Sequence, residues 1–434
     1  MKKAQKEKYQ ELKDRFMPFF EKKEFYFYCY FFYKSILVCF LMFLIWIVMK
    51  TVCLNMIVKN EIHVIRRCLA AVKGFIDYWV IVDTGSTDGT QAAIREFMQG
   101  CPGELYERPW RNFEHNRNEA LDLARTKGNY VFFVDADEIM HISPSFDKSS
   151  LVKDYYFTKT VGTGQEFYFP KLIKNDPLWR WVGVLHESIQ HPGDVISGQI
   201  DTIWAESVQD GARSRDPQQN ENDIAILKQA IVDNPNDSRA YFYLAQTYFG
   251  AQDFLQALKY YEIRGAMEGA QDETFWSLFC IGQFQEHLGY APSLYLESYL
   301  KAYQFDPSRV EPLERMANCE ASLHRPAMAY ILMKYAKTLP MPRPLSSGYY
   351  PWVHYFALDL LCADNAIDLG KIEEAQKIYR TMAGKSNLPA ALIKHIESQL
   401  VLIEQWLRSD RNERKKINFS KMPINLSFSF RKAN

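Results

Sequence analysis

Three acids close an apolar run at residues 130–134: Asp135, Asp137 and Glu138. Asp135 and Asp137 are two apart, so they share a side if the chain stays extended. Hard carboxylate oxygens on one side suit a divalent cation carrying a phosphate. Acids that open a loop or cap a helix are the plain alternative. A second apolar run, residues 78–82, ends in Asp83 and a turn reading DTGSTDG. Local turn chemistry would account for Asp83 alone. If both runs are strands of one doubly wound sheet, their ends open into one crevice. There Asp83 could accept hydrogen bonds from uracil or ribose. Asp137, with or without Asp135, could hold a cation that stabilises a departing diphosphate.

Other residues could complete such a site. Arg117 and Asn118, near a helix start, could contact a phosphate or orient the acids, or could sit on a solvated face. His186 is a candidate metal ligand. Glu187 beside it could deprotonate an acceptor hydroxyl. Trp179 and Trp181 could stack on a sugar or serve a core. Arg213 could bind phosphate or pair with an acid at a domain junction. His115, His287, His324 and His354 read as surface or structural residues.

Positioning these groups requires strand ends. Residues 51–58 form a buried-strand run, and Ile62, Ile65, Arg66, Leu69 and Val72 follow at helical spacing. Residues 78–82 are a second strand, and Ser86 or Thr87 would cap the helix beginning near Thr90. A short third strand falls near Leu105, a helix runs from Asn116 to Ala124, and the acid-ended strand comes next. The order is βαβ, predicting an α/β, mostly parallel sheet. Residues 166–174 and 179–185 read as two further strands, and residues 204–216 as a polar connection. From about Asn220 helical periodicity takes over. Leu244, Ala245, Tyr248, Ala257 and Tyr261, then Gly282 and Ala302, then Ala317, Ala329 and Ala336, then Gly370, Ala375 and Tyr379 recur at a spacing of about 34 residues. The pattern predicts an α-solenoid of tetratricopeptide type.

Length and composition agree with a multidomain globular chain. It has 434 residues, 47% hydrophobic and 24% charged. Lys+Arg and Asp+Glu both number 52, so overall charge makes no case for nucleic acid. The eight cysteines form no CxxC pair and read as reduced, buried thiols. Residues 25–49 carry a single charge, Lys34. As a helix they would reach about 38 Å, enough to cross a membrane. This predicts association through one N-terminal helix, or a cytoplasmic protein if Met49 is the natural start. The expected domains are 1–49, charged with an apolar helix; 50–216, the sheet domain; 217–405, the repeats; and 406–434, a basic tail.

Residues 51–216 resemble family 2 glycosyltransferases, the inverting GT-A class. The motifs are LNMIVKNE (54–61), IVDTGSTDGT (81–90), RNEAL (117–121), FVDADE (133–138) and WVGVLHE (181–187). DGARSRDP (210–217) and NPNDSRAYFYLAQTY (234–248) resemble the branch fused to tetratricopeptide repeats. The resemblance implies donor contacts from Asn60, Glu61, Asp83, Arg117, Asn118 and Asp135. It implies Mn²⁺ or Mg²⁺ on Asp135 and Asp137, with Asp137 the direct ligand and His186 a further one. Glu187 is the expected base and Glu138 its rival.

The expected activity is hexosyl transfer from a nucleotide-sugar, by default UDP-glucose, with inversion. The acceptor would be a glycan, a lipid-linked species or a protein or peptide. A protein partner would sit on the repeats. The alternatives are a repeat scaffold with a degenerate GT-A domain and, more weakly, nucleotidyl transfer.

Overall fold

The computed structural model describes residues 6–12, 14–15, 50–162, 165–340, 353–386 and 388–419. The chain divides into two compact units, residues 1–51 with 145–152 and residues 52–144 with 153–434. The sheet that carries the acids and the helical repeats both belong to the second.

In chain order the α/β part contains β1 (Val52–Val58), α1 (Ile65–Val72), β2 (Tyr78–Asp83), α2 (Thr90–Phe97), β3 (Gly103–Glu107), α3 (Phe113–Leu123) and β4 (Tyr130–Phe133). Then come β5 (Glu138–Ile142), β6 (Tyr155–Gly162), β7 (Gln165–Lys174), β8 (Arg180–Val182), β9 (Ser188–Gln190) and β10 (Ser197–Ser207). β1, β2 and β4 are buried almost throughout, as strands covered on both faces must be. α1 buries Ile65, Cys68, Leu69 and Val72.

Eight strands form one sheet in the order β3-β2-β1-β4-β7-β6-β10-β5, while β8 and β9 pair by themselves. β3, β2, β1 and β4 run parallel; β7 enters antiparallel to β4 and β6. The strand order reverses at β1, with β2 on one side and β4 on the other. Ligands of open α/β sheets bind outside the carboxyl ends at such a point. Asp83 ends one of the strands that flank it, and Asp135 follows the other.

Four strands, β5, β6, β9 and β10, escape the sequence reading. β10 buries only Ile200, Ile203 and Ala205 among its eleven residues, so no continuous apolar run marks it. Trp204, expected in a polar connection, lies within it. Neither Ser86 nor Thr87 caps α2: Gly89 holds the N-cap position with no side-chain bond, and Asp88, just before it, accepts the Thr90 N–H at 3.0 Å.

The helical part begins with α4 (Gln219–Asp233) and continues as hairpins: α5 (Ser238–Gly250) with α6 (Phe254–Gly265), α7 (Gln271–His287) with α8 (Pro292–Phe305), α9 (Glu311–Ser322) with α10 (Pro326–Ala336), and α11 (Leu358–Asp368) with α12 (Ile372–Ala383). α13 (Ala390–Arg408) follows. The small residues of the repeat pattern lie where helices meet: Ala245, Ala257, Ala302, Ala317, Ala329, Ala336 and Ala375 are wholly buried. Gly282 of α7 lies so close to α8 that a Cβ there would stand 2.7 Å from the Tyr299 ring. Sheet and repeats share apolar packing: Leu185 belongs to a buried cluster with Leu227, Ala240, Phe242 and Phe279.

The membrane-anchor expectation is corrected. Residues 25–49 lie outside the described residues, and among the described residues no helix is long and apolar enough to cross a membrane. The longest of those, α13, is amphipathic and carries Lys394, Glu397, Glu404 and Arg408. The six described cysteines are free, four of them buried.

Candidate functional site

The end of β2 is built around Asp83, which is wholly buried. Its Oδ1 accepts from the Gly85 and Ser86 N–H groups at 3.0 and 2.8 Å and from Gln91 Nε2 at 3.0 Å. Its Oδ2 is buried without a hydrogen bond from any described residue. A buried acceptor left unmade costs about 1–3 kcal/mol, so this oxygen fits a ligand N–H or hydroxyl.

Asn60 and Glu61, expected at the donor, are tied to neighbouring loops. Asn60 has φ 58, in the left-handed region that Asn tolerates better than most residues. Its N–H donates to Ser86 Oγ at 2.8 Å, and its Oδ1 accepts from the Thr87 N–H at 2.8 Å. It therefore staples the β1 end to the β2 turn. The Glu61 carboxylate accepts from the Ala212 N–H at 3.1 and 3.2 Å. Burial, followed by the Asp137 and Asp88 charges, overcomes that hydrogen bond and raises its pKa to about 7.

Arg117 of α3 lies between two carboxylates. Nη2 donates to Asp135 Oδ1 at 2.8 Å, and Nε donates to Glu187 Oε1. Its guanidinium carbon stands 5.0 Å from the Trp181 ring centroid, a cation–π placement. Burial alone would raise the Asp135 pKa, but Arg117 and then Lys171 hold it below the usual carboxylate range. Asn118 bonds the Trp181 backbone in both directions, at 2.8 and 2.9 Å. Its amide thereby fixes β8, so it reaches the site through that strand. Trp179, one candidate for a sugar platform, is core, edge-on to Tyr155.

Asp137 differs from Asp135. Among the described residues no Lys or Arg side chain pairs with its carboxylate. Burial and the charges of Asp135, Glu138 and Asp210 raise its pKa to about 6. The backbone of the 210–213 segment closes on it: a Cβ on Gly211 would lie 3.1 Å from Asp137 Oδ2. Arg67 pins that segment through two 2.7 Å bonds to Asp210. A half-buried carboxylate surrounded by others and unmatched by a cation suits a hard divalent ion whose remaining ligands are phosphate and water oxygens. Asp137 fits that role.

The expected ligand trio of Asp135, Asp137 and His186 is corrected. Among the described residues no three His, Cys, Asp or Glu side chains form a group able to hold a metal. Asp135 is paired with Arg117. His186 turns toward the repeats and stacks on Tyr243 of α5 at 4.2 Å between centroids. That packing, then the cations of Arg213 and Arg239, holds its imidazole below its ordinary pKa although the residue keeps an exposed edge.

Glu138 is bound to Lys171 of β7, at 2.7 Å from both oxygens, and its Oε2 accepts from the Asp135 N–H at 2.9 Å. It therefore shapes the acidic loop and is masked as a base. Lys171 was missed by sequence reasoning, and its signal was a lone charge inside the apolar run FYFPKLI. Arg67 was also missed: helical spacing put Arg66 with the apolar face, but Arg66 pairs with Glu96 in the open and it is Arg67 that reaches Asp210. Arg213 takes the junction role, bonding Asp223 of α4 at 2.7 and 2.8 Å.

The glycosyl transferase family 2 model matches residues 53–145, which include Asp83, Arg117, Asp135 and Asp137. A TPR repeat-containing protein of Synechococcus elongatus is 29% identical over 150 residues, covering 32% of this chain and 36% of that protein. The lipopolysaccharide core biosynthesis glycosyltransferase LpsC of Rhizobium meliloti is 32% identical over 80 residues, 18% of this chain and 28% of its own length. The matches thus span about a third or less of these relatives. A solved structure of MamA aligns with a TM-score of 0.32 at 11% identity, over 40% of this chain and 92% of that one. Residues 53–145 carry a family 2 glycosyltransferase domain, and tetratricopeptide-type repeats follow it in the same chain.

Proposed function

We propose that this family 2 domain transfers a hexosyl group from a nucleotide-sugar, UDP-glucose by default, to an acceptor hydroxyl with inversion. The observation that carries the reading is the pairing of two unlike strand-end acids. Among the described residues Asp83 has a buried oxygen that lacks a donor, and Asp137 is a carboxylate that no side-chain cation matches. The first suits a base N–H or ribose hydroxyl, and the second suits the cation of a diphosphate.

Asp137 would hold Mn²⁺ or Mg²⁺, with Asp135 beside it. When bound, the cation supplies Lewis-acid neutralisation of the departing diphosphate. Arg117 keeps Asp135 ionised and fixes Glu187 within the same network. Glu187 Oε1 is engaged, while Oε2 carries no hydrogen bond from a described residue. Through Oε2, Glu187 orients the acceptor hydroxyl and takes its proton as the oxygen attacks the anomeric carbon. Asn60 and Glu61 set the wall of the nucleotide crevice through the Thr87 and Ala212 backbones. The acceptor is a glycan, a lipid-linked species or a peptide, presented beside the repeats.

A donor screen tests the reading. Purified full-length protein with Mn²⁺ is offered nucleotide-hexoses, and candidate acceptors are followed by mass spectrometry. A hexose mass added to an acceptor supports it; no transfer from any donor counts against it.

A further inference from the structure

Between Gly183 and β9 three consecutive residues face three ways. Leu185 is buried among Leu227, Ala240 and Phe242 of the repeats. His186 lays its ring on Tyr243, 15° from parallel, and its carbonyl accepts from Arg239 Nη2 at 2.9 Å. Glu187 turns back to Arg117. His186 has φ 51, a conformation that a non-glycine residue holds only when its surroundings impose it. What surrounds it comes from α5. Arg239 is braced in turn: its Nη2 also donates to Tyr243 Oη at 2.9 Å, its guanidinium carbon lies 4.8 Å from that ring's centroid, and Nη1 bonds Glu273 of α7. One brace therefore runs from the second hairpin, through the first, to the backbone next to Glu187.

We infer that the first repeat hairpin is a working part of the transfer site, and that Tyr243 and Arg239 are positioning residues. They fix the 183–187 turn and thereby hold Glu187 on Arg117. Neither touches substrate; both act through the main chain of His186. Generic packing between sheet and helices would not require a hydrogen bond to that one carbonyl or a stacked ring on that one side chain. The kinetic part of the inference rests on the glycosyl-transfer reading; the conformational part does not.

The test uses the full chain, as wild type, Tyr243→Ala, Tyr243→Phe and Arg239→Lys. Hydrogen exchange read by mass spectrometry reports on residues 183–187 and, as a control, on residues 78–90. Turnover is measured with the donor that wild type uses, and donor-site integrity with UDP and Mn²⁺ by calorimetry. In Tyr243→Ala, exchange accelerates across 183–187 and stays unchanged at 78–90. There kcat falls about tenfold to a hundredfold, the scale of a displaced catalytic group, while UDP affinity and donor KM hold. Tyr243→Phe keeps the stacking face but loses the bond from Arg239, so it recovers most of the wild-type exchange and turnover. Arg239→Lys, which keeps the charge and loses the shared Nη2 donor, gives the same pattern more weakly and decides the matter if Tyr243→Ala does not fold. Unchanged exchange at 183–187, or a uniform rise over the whole chain, overturns the inference. If wild type turns over no nucleotide-sugar, the functional reading fails while the exchange data still decide the brace.

Discussion

Arg117 Nη2 stands 2.8 Å from Asp135 Oδ1, joining the helix that precedes β4 to the acidic loop that follows it. The same guanidinium also binds Glu187, whose side chain is 7% exposed. Removing one partner of such a buried pair leaves an uncompensated charge. Arg117→Ala is expected to lower stability by about 3 kcal/mol, and Arg117→Ala with Glu187→Ala by less. Urea unfolding of both variants measures this; a double variant no better than the single would contradict the pairing.

The acidic loop depends on Lys171 in the same way. Lys171→Met leaves Glu138 buried without its cation, and Glu138 then fails to hold the Asp135 N–H. Stability should fall by about 3 kcal/mol, and UDP–Mn²⁺ affinity should fall with it. Adding Glu138→Gln should recover much of the stability but not the affinity. Thermal unfolding and calorimetry separate the two effects.

Two acids give stability a pH dependence of unusual sign. Burial, first among its causes, raises Glu61 from 4.5 to about 7 and Asp137 from 3.8 to about 6. Between about pH 4 and 7 the native state thus holds protons that the unfolded chain has released. Stability from these groups therefore falls as pH rises through that window. Glu61→Gln should flatten the decline, seen as a smaller loss of melting temperature between pH 5 and 7.5. Mn²⁺, which competes with those protons, should raise the melting temperature more at pH 7.5 than at pH 5, and should not do so in Asp137→Ala.

Gly282→Ala pits two effects against each other. Helix propensity favours alanine by about 1 kcal/mol. The added Cβ would lie 2.7 Å from two ring carbons of the buried Tyr299, whose hydroxyl is held to Glu286 at 2.6 Å. Overpacking costs about 1–3 kcal/mol and should win, so the variant unfolds at lower urea. A stabilised Gly282→Ala would show that the hairpin can spread at little cost.

Much of the fold was legible because its signals are local. β1, β2 and β4 are continuous apolar runs, and the repeat alanines fall at the helix contacts their spacing predicts. β5, β6 and β10 were illegible because they lie in the mixed half of the sheet beyond β4, where one face stays wet and no run forms. The strand-end acids could be read as a group, since Asp83 and Asp135 each close a run. Their differences could not. Among the described residues Asp135 is matched by Arg117 and Asp137 by no side-chain cation, and only tertiary packing decides which. His186 illustrates the limit most sharply. Beside Glu187 in sequence, it reads as a ligand; a left-handed turn sends the two side chains apart, one to the repeats and one to Arg117.

In the proposed function Asp137 serves the transfer of a sugar from a nucleoside diphosphate. Nucleoside diphosphate release from nucleotide-hexoses, with Mn²⁺ present or chelated, tests it most directly in wild type and Asp137→Ala. Wild type is expected to release it in a Mn²⁺-dependent way, and Asp137→Ala to lose about a hundredfold or more. Equal release by the two proteins, or release indifferent to the cation, would contradict it.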